Sequence, residues 1–276
     1  MDRVNFPHTA GLLLFTSILA NAAVMEPDTT AAWEQYIGAV DARMRSASAE
    51  RPFLWVDEEP SRVQRVRAGE VIASQVKPQI AQPVPHGLVH DWIGTAFIPG
   101  ATLADVLAVA RDYASYPKWY GPTITQADLL ERVGGPDRVS MDRFTARYIR
   151  SALFVTVVLD TESEVEYVQV NATRCYSIAR STRVQEIHDY GKPDQRKMPP
   201  DDGSGYLWRL YSVAKYEQRD NGVYIEQETI ALSRRIPLTF RWLVEPVVRR
   251  LSRNLLVGFL EQTREAVLSK PGNAGK

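Results

Sequence analysis

The chain has 276 residues, 45% of them hydrophobic and 24% charged, the make-up of an ordinary globular protein with room for one large domain and an extension. Its 33 Lys and Arg balance 33 Asp and Glu, and a formal net charge of +0 excludes bulk electrostatic attachment to DNA, RNA or anionic lipid. One cysteine, Cys175, excludes an internal disulfide, so packing alone must hold the fold.

The first 23 residues predict a secretory signal. Arg3 gives a weakly basic start and residues 10–20 form an apolar core. Ala20-Asn21-Ala22 supplies the small-x-small pattern that precedes a cleavage site. The apolar stretch falls short of the ~20 residues that span a bilayer. The expected mature chain starts near Ala23 or Val24 and is periplasmic or secreted. An uncleaved anchor or a plain N-terminal helix is the alternative. No later segment is apolar enough for stable membrane insertion, which leaves transient membrane contact.

Residues 29–48 repeat Trp33, Tyr36, Ile37, Val40 and Met44 at helical spacing. Residues 63–66 and 70–73 read as short strands around Ala68-Gly69. Pro78, Pro83 and Pro85 then mark a linker. The expected division is an extension over residues 24–85, a domain over 86–270 and a disordered tail over 271–276.

From His86 the pattern sharpens. Residues 88–97 form a strand. Thr102 caps a helix with Leu103, Val106, Leu107 and Ala110 on its apolar face, ending near Tyr116-Pro117. Strands follow at 123–132, 138–148, 153–160, 164–170 and 174–187. The long loop 189–205 is a candidate lid or binding loop. Two alternating runs, 206–218 and 223–233, flank a turn at Asp220-Asn221-Gly222. Helical spacing resumes at Leu238, with Pro246 as a break and Ser252 as cap of a terminal helix carrying Leu255, Leu256, Phe259, Leu260 and Val267.

The last hairpin assigns its own faces. Tyr206, Trp208, Leu210, Ser212, Ala214 and Tyr216 form the less charged set of the first run. Val223, Ile225, Gln227, Thr229 and Ala231 form that of the second. A two-residue turn pairs even with odd positions, which puts both sets on one face. That face is expected to be concave and the other solvent-facing. The fold class is α+β: a curved antiparallel sheet around a long C-terminal helix, enclosing a cavity.

No site for chemistry stands out. His86, His90 and His188 lack metal-ligand spacing, and no cofactor motif or catalytic residue is assigned. His90 and Asp91 are neighbours on a strand and point to opposite faces. Arg183 shares parity with Cys175, Ser177, Ala179 and Ser181, so on a concave face it would hold a ligand carboxylate or phosphate. The alternative is an ion pair with a sheet carboxylate. Tyr113, Trp119, Tyr120, Trp208 and Tyr216 are candidate cavity walls.

The element order resembles the START/Bet v 1-like (SRPBCC, polyketide cyclase-like) superfamily, whose architecture is the helix-grip fold. The local text is similar to an exported bacterial branch of it, in His90-Asp91-Trp92-Ile93-Gly94, Phe97-Ile98-Pro99-Gly100-Ala101-Thr102, Asp112-Tyr113, Arg180-Ser181-Thr182-Arg183, Leu207-Trp208-Arg209-Leu210 and Glu226-Gln227-Glu228. The resemblance covers roughly residues 86–269. It implies a hydrophobic ligand, such as a lipid, sterol, polyketide or quinone, and no cofactor. The expected ligand-binding set is Tyr113, Trp119, Tyr120, Arg183, Trp208, Tyr216, Gln227, Leu256, Phe259 and Leu260. Carriage is the leading expectation. A cyclase, aromatase or hydrolase and a partner-docking protein with a filled cavity are the alternatives.

Overall fold

The computed structural model describes residues 23–45, 52–76, 81–135, 139–152, 155–235 and 238–270. The signal segment up to residue 22 and the 271–276 tail lie outside them.

One antiparallel sheet dominates. Its central path runs β1(Ile72–Gln75), β3(Gly87–Pro99), β10(Gly222–Arg234), β9(Arg209–Arg219), β7(Arg174–His188), β6(Val155–Asn171), β5(Val139–Ala152) and β4(Ile124–Val133). Two short strands lie off that path: β2(Gln82–Val84) on β3 and β8(Arg196–Lys197) on β7. The helices are α1(Pro27–Arg45), α2(Pro60–Arg67), α3(Leu103–Ala110), α4(Tyr116–Tyr120) and α5(Leu238–Leu268). Among the described residues no helix is long and apolar enough to cross a membrane.

The register sorts the side chains. Ile225 faces Tyr216 and Ala96, and Gln227 faces Ala214 and Gly94, so even β3 and β9 positions share a face with odd β10 positions. That face is concave. Trp92, Ala96, Ile98, Cys175, Ala214, Tyr216 and Ile225 form its core with Leu256 and Leu260 of α5. Gly94 permits the close approach of α5: a Cβ there would stand 3.0 Å from Leu260 Cδ1 and 3.1 Å from Leu256 Cδ2. A second concave cluster joins Tyr113, Tyr120, Phe144, Val165 and Tyr167.

The opposite face is covered, not solvent-facing. Trp33, Ile37 and Val40 of α1 pack on Val89, Ile178, Tyr211, Val213, Ile230 and Leu232. Leu54, Val56 and Val66 pack on Phe97 and Tyr224 farther along. The odd positions of β9 are therefore core residues of an outer layer. The 24–85 stretch supplies that layer and two strands paired to β3.

Local differences from expectation have physical causes. Residues 63–66 are helical, because Pro60 sits at the start of α2, where its missing N–H costs nothing. Residues 155–171 form one continuous strand. α5 runs unbroken past Pro246, and Ser252 lies inside it, not at its cap. The helix after Thr102 ends at Ala110, and Pro117 opens the separate α4. In the last hairpin the two loop residues are Asp220 and Asn221, both left-handed at φ 55° and 57°. The pairing thus slips by two residues from an Asn-Gly loop, which preserves both faces. Gly222 is needed for space: a Cβ would sit 2.4 Å from the Ile98 carbonyl oxygen.

Candidate ligand chamber

Burial along the last two strands alternates in an unexpected sense. On the outer face Tyr211, Val213, Glu228, Ile230 and Leu232 are buried. On the concave face Leu210, Ser212, Gln227, Thr229 and Ala231 remain half-accessible. The inner wall of the sheet is thus emptier than its outer wall at this end. Beyond the Arg180–Tyr211 pair the β7–β9 ladder stops, and Ser181 Oγ accepts from the Leu210 N–H at 2.9 Å. The strands splay there. Tyr206 and Leu207 from the long loop fill in beside Val157, Leu159 and Val184. The loop is tied down by β8, and its Gly203 and Asp201 carbonyls accept from Ala23 and Met25 N–H at 2.7 and 3.1 Å.

Eight of the expected ligand residues line the concave side or its helix. Tyr216, Leu256 and Leu260 belong to its core. Gln227 points into the half-accessible region, with its amide 3.4 Å from Thr229 Oγ1. Tyr120 stacks on Phe259 at 4.8 Å and shares a 3.1 Å hydrogen bond with Thr263. Tyr113 stacks on Phe144 and donates to Asp142 at 3.1 Å. Trp119 packs beside both clusters under Lys270.

Two do not belong. A β-bulge shifts the β6–β7 register between Ser181 and Arg183, so parity inverts. Ser181 stays concave, but Arg183 turns outward, 49% exposed, and bonds Glu162 at 2.7 Å. Trp208 precedes the first residue of β9 and packs with Trp33 in the outer cluster. Even-odd counting fails where a bulge or a strand end interrupts it.

Three chamber residues escaped the sequence reading. Trp92 is buried on the concave face, and its indole N–H has no partner among the described residues. His90 shares a 2.9 Å hydrogen bond with Ser233. Burial pushes its pKa down to about 4, so the ring is neutral. Arg150 sits on the concave face of β5, opposite Val157, and burial lowers its pKa. The alternating parity of residues 88–97 carried the signal for Trp92 and His90, while Arg150 lies two residues past the expected strand 138–148 and is reached because β5 runs on to Ala152.

A second hollow opens at the other end of the sheet. It is a solvent-open hollow of about 680 Å³ between α3 and the β4–β5 hairpin, beside Leu107, Arg111, Arg132, Tyr167, Gln169 and Cys175. Arg111 and Arg132 both clamp the fully buried Asp142, which their charges hold below the usual carboxylate range despite its burial. Asp112 adds a second carboxylate, so the wall is electrically balanced. Cys175 is a free buried thiol whose pKa is raised by burial to about 11, and it is inert at neutral pH. No group of three or more metal-ligating side chains occurs among the described residues.

A curved antiparallel sheet gripping one long C-terminal helix settles the architecture. The chain has the helix-grip fold. No protein-family model and no curated protein matches it. Solved structures of the same architecture include a STAR-related lipid transfer protein fragment from Xanthomonas axonopodis, at 17% identity and TM-score 0.42, covering 71% of this chain and 98% of that one. Another is the Zhui aromatase/cyclase from Streptomyces, at 12% identity and TM-score 0.44, covering 68% and 98%. Human STARD10 covers 83% and 85% at 12% identity and TM-score 0.44. These likenesses are of helix-grip architecture. The site rests on the residues described above.

Proposed function

We propose that this helix-grip protein binds a hydrophobic small molecule in the chamber between its concave face and α5, and that it acts as an exported carrier. The observation that carries the reading is the half-accessible inner wall of Leu210, Ser212, Gln227, Thr229 and Ala231, set against the buried outer wall. Apolar guests gain ~25 cal/mol per Å² buried there, before association costs are subtracted. Two of the solved helix-grip structures are a lipid transfer protein and an aromatase/cyclase, and a guest of this class agrees with them. The hydroxyl–imidazole pair on that face, Ser233 and His90 at 2.9 Å, is a poor nucleophile–base pair because burial depresses the imidazole to about 4, so carriage is preferred to transformation. The signal-like first 23 residues support export.

Native mass spectrometry of protein purified from its own host tests both parts. The expected result is a mature chain starting near Ala23 or Val24 with a co-purifying hydrophobic molecule. A ligand-free chain that also fails to bind any fluorescent lipid saturably would overturn carriage. Retention of residues 1–22 in periplasmic or secreted material would overturn cleavage.

A further inference from the structure

Among the described residues, no carboxylate acts on the Arg150 guanidinium. It lies on β5 at the chamber end, two and four residues beyond Tyr148 and Ala146 on the same face. Its cross-strand partner is the buried Val157. Other arginines of this β4–β5–β6–β7 region bond carboxylates: Arg132 holds Asp142, Arg147 holds Asp160, and Arg183 holds Glu162. No carboxylate among the described residues pairs with Arg150. The groups that perturb its charge are the Tyr148 and Tyr206 hydroxyls, and burial works against the charge. A guanidinium stays protonated even so, because its ordinary pKa is far above neutrality.

An unpaired cation in a partly desolvated apolar wall is costly unless an anion meets it. Val157, Leu159, Val184 and Leu207 beside it are apolar. The carboxylate of Glu245 on α5 acts on His90 of β3 and is not among the groups that act on Arg150. The second unmet group on this face, the Trp92 indole N–H, is also a donor. Around Arg150 the wall therefore offers one positive charge with no carboxylate beside it among the described residues, and it asks for one negative charge.

We infer that the chamber selects acidic amphiphiles, compounds with a monoanionic head on an apolar chain, and that Arg150 anchors the head. A long-chain carboxylate fits: one guanidinium forks onto one carboxylate, while the chain lies along the apolar wall. A phosphate monoester carries a charge nearer two, and a single arginine leaves part of it unpaired. This inference deepens the carrier reading and rests on it.

The test uses the full mature chain and two probes, a fluorescent long-chain fatty acid and its methyl ester. Wild type is expected to bind the acid about tenfold to a hundredfold more tightly, the range of one charge-assisted hydrogen bond. Arg150→Gln should erase that preference and leave ester binding unchanged, and Arg150→Lys should restore part of it. The thermal melt of each variant checks that the fold persists. Equal binding of acid and ester by wild type overturns the acidic selectivity while the chamber stands. Retained preference in a folded Arg150→Gln variant overturns the anchor. Failure of both probes to bind saturably removes the carrier reading together with the inference.

Discussion

The Tyr36 hydroxyl donates to Asp91 Oδ2 at 2.8 Å, and so fastens a helix of the N-terminal extension to the outer face of the central strand. The contact belongs to a polar belt between two apolar patches. Arg43 of α1 pairs with Glu228, which is 8% exposed. The Trp55 N–H donates to Glu226 Oε2 at 2.5 Å, and Lys215 reaches the other oxygen at 3.2 Å. Asp41 accepts from Tyr211 and Arg180. The belt aligns the extension with the sheet, since a slip of one residue would leave buried carboxylates without partners.

The belt makes stability pH-dependent. Burial, helped by the Glu228 charge, pushes Asp91 up to about 7, and burial also raises Glu226 to about 7. A raised carboxylate holds a proton in the folded state where the unfolded chain has lost it. Each group's contribution is therefore present at low pH and lost as pH rises from about 4 to 7. His90 works the other way: depressed to about 4, it costs stability as pH falls below 6.5. Above pH 6.5 only the carboxylates act. Asp91→Asn should match wild type near pH 4, pull ahead as pH rises and keep its lead at pH 8, in urea melts across that range. Parallel curves for the two proteins would refute the assignment.

Arg183 is a surface arginine. Its ion pair with Glu162 is half exposed, and such pairs contribute ~0–1 kcal/mol. Arg183→Ala should lower the unfolding free energy by no more than that and leave probe affinity unchanged. A tenfold loss of affinity with unchanged stability would return Arg183 to the chamber.

The grip of the sheet on its terminal helix was legible in the sequence because period-two and period-3.6 patterns are local. Thr102 closes a capping box with Asp105, and that too is a local motif. What stayed hidden depends on the rest of the chain. The bulge at Ser181–Arg183 leaves no mark that parity counting detects, and it moved one arginine out of the site. Arg150 differs from Arg147 by what stands across the strand: Asp160 in one case, Val157 in the other. The outer layer was missed because Tyr211 and Val213 alternate with Ser212 and Ala214 without declaring which side a distant helix covers.

Gly222 carries a packing demand that the hairpin turn alone does not impose. Its neighbours across the ladder are Pro99 and Arg219, and the Ile98 carbonyl lies where a Cβ would go. Gly222→Ala must push the end of β3 away from β10, a backbone displacement at the turn end of the ladder. A loss of about 2 kcal/mol or more is expected in denaturant unfolding, within the range for strain and overpacking. Gly135→Ala, where a Cβ meets nothing within 4 Å, is the control and should be near neutral. Equal effects at the two positions would place the strain elsewhere.

The chamber itself can be filled from its wall, and the choice of position matters. Ala214 shares the concave face with Ala231, but it is buried among Cys175, Tyr216 and Ile225 in the packed core. A large side chain there meets atoms, so Ala214→Phe should destabilise the fold by ~1–3 kcal/mol, the cost of overpacking. Ala231 faces Leu210 and His90 across the ladder and stays half-accessible, so a ring added there enters open space. Ala231→Phe should melt within a few degrees of wild type and bind a fluorescent fatty acid at least tenfold more weakly. If Ala231→Phe binds as well as wild type while Ala214→Phe stays fully stable, the hollow lies nearer Ala214 than Ala231 and the wall proposed for the guest is the wrong one.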